Sequence, residues 1–103
     1  MAAIHRAIVT GDHAVVAAKA EAIHASFILK RELTAADRRD LKAAVPPAFI
    51  KLDRAFHADA ASLAEAARAG DPERELAVFQ AMSRACVSCH RRFVGDRFPG
   101  LAE

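Results

Sequence analysis

The 103-residue chain is predicted to be all-α, an antiparallel four-helix bundle forming a single domain over residues 1–103, and three observations predict it. Alanine supplies 26 residues while Gly and Pro supply 4 each, which favours helix and leaves few of the β-branched and aromatic residues that fill strands. Apolar residues recur at three- and four-residue intervals, the period of one buried helix face. Two Gly-Asp pairs, Gly11-Asp12 and Gly70-Asp71, each follow one helical run and precede another. Gly stops a helix and Asp caps the next. With 53% apolar residues, a packed core is expected.

The first helix is expected from Ala2 to Thr10, carrying Ile4, Ile8 and Val9. At about 15 Å by helix rise it is short beside its partners. The second is expected from His13 to about Lys30, with Val16, Ala20, Ile23 and Phe27 on one face. Thr34, with Asp37 three residues on, resembles a capping box and opens a short helix over 35–44. Pro46 and Pro47 end that stretch and start the next, since Pro cannot continue a helix but begins one well. A long helix is expected from Pro47 to Ala69, with Phe49, Leu52, Phe56, Ala60, Leu63 and Ala67 along one side. The last starts at Pro72, has Glu73 in its first turn, and carries Leu76, Phe79, Ser83, Cys86, His90 and Phe93 on one stripe before Gly95. The residues after Gly95 lack a period and read as an extended end. Each Gly-Asp corner is short, and short corners join antiparallel neighbours. Two hairpins therefore pack into a bundle.

Charge and hydropathy exclude several classes. The net charge is +2, with 15 basic residues mixed among 13 acidic ones, so no nucleic-acid footprint is visible. No run approaches the roughly 18 apolar residues of a membrane span. No acid–base pair or nucleophile arrangement is seen, so an enzyme is not expected.

The chemistry-bearing string is Cys86-Val87-Ser88-Cys89-His90. A disulfide between residues three apart on a helix would close a tiny loop and constrain the unfolded chain little. On a helix, Cys86, Cys89 and His90 share one broad side. Covalent c-type haem attachment needs that arrangement: two thiols add to the porphyrin vinyl groups, and the next imidazole reaches the iron. CxxCH is the sequence mark of this chemistry. Three other readings stand beside it. A zinc site would use the same residues but lacks a second Cys or His pair at ribbon spacing. A thioredoxin-type CxxC would open a helix after a strand. The string can also arise by chance in a structural helix.

CVSCHRRF near the C-terminus of a helical bundle, with Cys86, Cys89, His90 and Phe93 as the matching residues, resembles the class II cytochromes c, the cytochrome c prime group. The resemblance covers the last two helices. It implies one haem c inside one end of the bundle, Cys86 and Cys89 as thioethers, and His90 as the iron ligand. The sixth position would face the first long helix. Some members leave it empty behind an apolar residue and bind NO or CO, while others fill it with Met and transfer electrons. The first helix here is shorter than that pattern, and no distal motif is carried over.

The remaining candidates are weighed singly. His5 is expected at the surface, although it can also reach the distal side. Ile4 or Ile8 is a candidate apolar wall there, and Met1 is read as the initiator. His13 is expected to be solvated, His24 to lie beside the buried stripe, and His57 to point off the core. Met82 precedes Cys86 by one turn and is expected to pack in the core. Arg91 and Arg92 suit the C-terminal end of their helix, and one of them is a candidate partner for a haem propionate.

The expected function is therefore a covalent haem electron carrier with a redox partner protein, and the alternative is a non-haem structural or zinc-binding bundle. The two propionates would bring the holoprotein close to neutral, so strong steering of a partner is not expected. The alanine-rich middle helices are a candidate homodimer face. The opening Met-Ala-Ala-Ile-His-Arg has no leader pattern. Haem attachment to CxxCH nevertheless points to the periplasm.

Overall fold

The structure, a computed structural model, describes residues 1–26, 34–36, 39 and 46–101. Among the described residues it contains four helices of nine residues or more: α1 (Ala2–Thr10), α2 (His13–Ala25), α3 (Pro47–Arg68) and α4 (Pro72–Val94). A short 3-10 turn, Pro99–Leu101, follows. The described part of α2 ends where the predicted helix was still to run, and Phe27 lies outside the described residues. So does most of the predicted helix over 35–44 with its Thr34–Asp37 cap, of which Ala35, Ala36 and Arg39 are helical.

The two Gly-Asp corners fold alike. Gly11 and Gly70 take φ values of 74° and 64°, the left-handed region in which a side chain is strained. At the first corner the Gly11 N–H donates to the Ile8 carbonyl and the Asp12 N–H to Ala7; at the second, Gly70 donates to Ala67 and Asp71 to Ala66. These bonds satisfy carbonyls that the helix end leaves unpaired. The Asp12 carboxylate then accepts from the Val15 N–H at 3.3 Å, and Asp71 from Arg74 at 3.1 Å, which starts the next helix.

The hairpins so formed close into an antiparallel bundle in which α1 packs on α2, α2 on α3, α3 on α4, and α4 back on α1. The core sits toward the two corners. It contains Ile4, Ala7 and Ile8 from α1, Val16 and Ala20 from α2, Ala60, Leu63, Ala64 and Ala67 from α3, and Phe79 and Met82 from α4. Alanine at so many contacts lets the helix axes approach closely. Met82 is fully buried, as expected. Leu76, expected on the apolar stripe of α4, is 39% exposed, and Val9 at the end of α1 is 70% exposed. On α4 Phe79 is buried as read, but at the start of the stripe Glu75 rather than Leu76 is enclosed.

Glu75 is fully buried, and its Oε1 meets His13 Nδ1 across the bundle at 2.5 Å. His13 is thus paired with Glu75 while its side chain stays 36% exposed. Among the described residues, the other carboxyl oxygen of Glu75 has no hydrogen-bond partner. Removing His13 leaves a buried carboxyl with nothing to satisfy it, at a cost of about 1–3 kcal/mol. His13→Ala is therefore expected to lower the urea midpoint clearly. The double variant His13→Ala/Glu75→Leu is expected to recover most of that loss, because an apolar replacement removes the buried polar group altogether. Equal midpoints for His13→Ala and wild type would contradict this pairing.

His57 also departs from expectation. Its side chain is only 12% exposed, and Nδ1 lies 2.7 Å from the Ile23 carbonyl near the end of α2. A carbonyl only accepts, so Nδ1 carries the proton and donates. The bond ties α3 to a late carbonyl of α2.

Candidate functional site

The described parts of α1 and α2 have 9 and 13 residues, whereas α3 and α4 have 22 and 23. At 1.5 Å per residue the two long helices run roughly 10 Å or more beyond the described parts of α1 and α2. Their outer halves, the first half of α3 and the second half of α4, face each other away from the core.

A cavity of about 470 Å³, counted with its mouth, lies between those halves. From α4 it is lined by Ala85, Cys86, Cys89 and His90, and from α3 by Phe49, Leu52, Asp53 and Phe56. All three residues of the CxxCH string thus reach one space. The apolar stripe predicted for α3 supplies most of the opposite wall. The lining is mostly apolar with a few placed polar groups, the character of a cofactor pocket. Phe93 packs edge-on against Phe49 at 5.5 Å and joins the same end of the two helices.

Cys86 and Cys89 are half-buried free thiols. The Cys89 thiol is pushed above its ordinary value of 9.0, first by burial, then by the nearby Asp53 carboxylate and by Cys86. A raised value means less thiolate at a given pH, and thiolate is the reactive form. Alkylation of Cys89 is therefore expected to be slow at neutral pH and to keep rising with pH beyond the ordinary thiol range. Asp53→Asn removes one raising influence and is expected to speed it. Mass-resolved alkylation rates check this, and an Asp53→Asn rate below the wild-type rate would contradict the sign.

Asp53 is the charged residue of the lining that sequence reasoning missed. It lies between apolar positions of the α3 stripe, and nothing in the local pattern marks it as facing Cys89. Its Oδ1 is 3.4 Å from His57 Nε2. Among the described residues, no group of three or more His, Cys, Asp or Glu side chains is arranged to hold a metal ion.

The other sequence candidates lie elsewhere. Ile4 and Ile8 are in the corner-side core, not in the cavity wall. His5 is exposed, with its ring 5.7 Å from Phe79. His24 is half-buried on α2 and is not a lining residue.

Residues 96–101 are not an extended end. Arg97 N–H donates to the Val94 carbonyl, Phe98 to Gly95, and Leu101 to Phe98, so the segment turns back on itself. Arg91 Nε donates to the Leu101 carbonyl at 2.8 Å, and the Arg92 guanidinium lies over the Phe93 ring at 5.5 Å. The Phe98 ring stacks on His90 with centroids 4.4 Å apart and planes 9° from parallel.

Comparison with family models, with curated proteins and with solved structures returned no match. The functional reading therefore stands on the cavity and its residues.

Proposed function

We propose that this chain is a covalent c-type haem protein acting in electron transfer, with the iron bound by His90. The observation that carries this reading is the meeting of Cys86, Cys89 and His90 on one apolar cavity between α3 and α4. The donor set fits the group. Each thiol adds across one vinyl C=C, forming an S–C bond while its hydrogen goes to the other vinyl carbon, with no leaving group and no added reductant. His90 offers a ring nitrogen to the metal from the residue next to the second thioether. Bound haem supplies reversible one-electron exchange at its iron.

The other residues of the site have definable tasks. Phe49, Leu52 and Phe56 would offer the bound group an apolar wall and keep water from it. Asp53 lies near Cys89, and its negative charge would favour the ferric state of a group held there. Met82 is held in the core, His13 on Glu75, and His57 on Ile23. This reading therefore assigns none of these three to the bound group, which would leave it open to a small ligand such as NO or CO. The likeness of CVSCHRRF to the class II cytochromes c supports the same assignment, and with it a periplasmic site of maturation and a redox partner protein.

The test is spectroscopic. The chain has no Trp and no Tyr, so the haem-free protein absorbs little at 280 nm. Material made beside a cytochrome maturation system is expected to show an intense Soret band that survives acid–acetone extraction. Its ferrous form is expected to bind CO without displacing a protein ligand. Colourless protein after extraction would overturn the haem reading, and a low-spin ferrous spectrum inert to CO would overturn the open sixth position.

A further inference from the structure

His90 stands at the cavity wall and is also held by the returning C-terminal segment. We infer that the segment from Gly95 to Leu101 is a latch whose Phe98 ring sets the plane of the His90 imidazole, making Phe98 a positioning residue for the iron ligand. The inference rests on the haem reading and goes beyond it, because it concerns a residue outside both the CxxCH string and the cavity lining.

Three observations support it. The stack is nearly parallel and close, so rotation of the imidazole about its Cβ–Cγ bond would strike the Phe98 ring. The latch is anchored at both ends: at its start by turn bonds from Arg97 and Phe98 back to Val94 and Gly95, and at its far end by the Arg91–Leu101 bond one residue from His90. Gly95 also permits the fold-back. A Cβ there would come within 2.7 Å of the Arg91 carbonyl oxygen, a backbone atom that cannot swing aside. Metal-bound imidazoles are usually oriented by a hydrogen bond from the second ring nitrogen to a carbonyl or carboxylate. Among the described residues, the contact that fixes His90 is the aromatic ring instead.

The test uses the holoprotein and two variants that reach the latch by different routes, Phe98→Ala and Gly95→Ala, with Phe98→Tyr as the conservative control. Phe98 is 39% exposed and lies beyond the last long helix, so helix content by circular dichroism is expected to stay at the wild-type level. Covalent haem is expected in all four proteins. The ferric haem-methyl proton resonances report the imidazole plane, and their spread is expected to shrink in both alanine variants and to persist in Phe98→Tyr. In haem-free protein the His90 ring protons are expected to move downfield in both alanine variants, as the shielding of the stacked ring is lost. Wild-type haem-methyl patterns in both alanine variants would overturn the positioning role while leaving the haem reading intact. Failure of the wild type to take up haem would overturn both, with the haem-free spectra still deciding whether the latch forms.

Discussion

Replacing Cys86 and Cys89 together by alanine is expected to abolish covalent haem while leaving a folded helical chain. Neither sulfur belongs to the buried core, and truncating half-buried side chains on the outer part of α4 removes little packing. The expected effect on attachment is total, since no other cysteine exists to form a thioether. The single variants are expected to differ from the double. One remaining thiol still forms one S–C bond, so each single variant is expected to hold haem through acid–acetone extraction, at lower yield. His90→Ala is expected to retain both thioethers and lose the imidazole, giving covalent haem with an altered visible spectrum. Visible spectra of extracted protein separate these cases. Equal haem retention in the double variant and the wild type would contradict the assigned sites.

The second large effect concerns stability, and it follows from the division of the bundle into a packed end and an outer end. Leu63 is fully buried among Ile4, Val16, Phe79 and the α3 alanines. Leu63→Ala opens a cavity in that core at a cost of about 3 kcal/mol, which for a chain of this size lowers Tm by roughly 10–20 °C. Leu52 lies on the same stripe of α3 but is half-buried and borders the cavity between α3 and α4. Leu52→Ala widens a space already present, so in haem-free protein it is expected to cost about 1 kcal/mol or less. In the holoprotein the penalty is expected to grow, because the leucine then packs on the cofactor. Thermal melts of both variants, with and without haem, supply the comparison. Similar losses for Leu52→Ala and Leu63→Ala in haem-free protein would contradict the division.

The helices were largely legible because their signals are local. Gly11, Asp12, Gly70 and Asp71 each act within five residues of themselves, and the structure builds both corners as read. The α3 stripe was legible because Ala60, Leu63 and Ala67 recur at helical spacing, and the CxxCH string because its three functional groups lie within five residues. What the sequence left hidden depends on partners far along the chain. Glu75 is enclosed because His13, 62 residues away, reaches its carboxylate, and no period can announce that pairing. With Glu75 enclosed, its neighbour Leu76 is left 39% exposed. His57 is drawn inward by a carbonyl 34 residues away. Phe98 follows a glycine and precedes a proline, which reads as a loose end until the Arg91–Leu101 bond brings it back. Asp53 was missed for the same kind of reason, since its neighbour Cys89 belongs to another helix.

The central claim is that one porphyrin is joined to this chain through two sulfurs. Intact-mass analysis of protein produced beside a cytochrome maturation system, followed by peptide mapping, tests it most directly. The account predicts a gain of about 616 Da, the mass of one haem added without loss of any atom, carried on the peptide that contains Cys86 and Cys89. An unchanged mass, or a modification mapped to any other peptide, would contradict it.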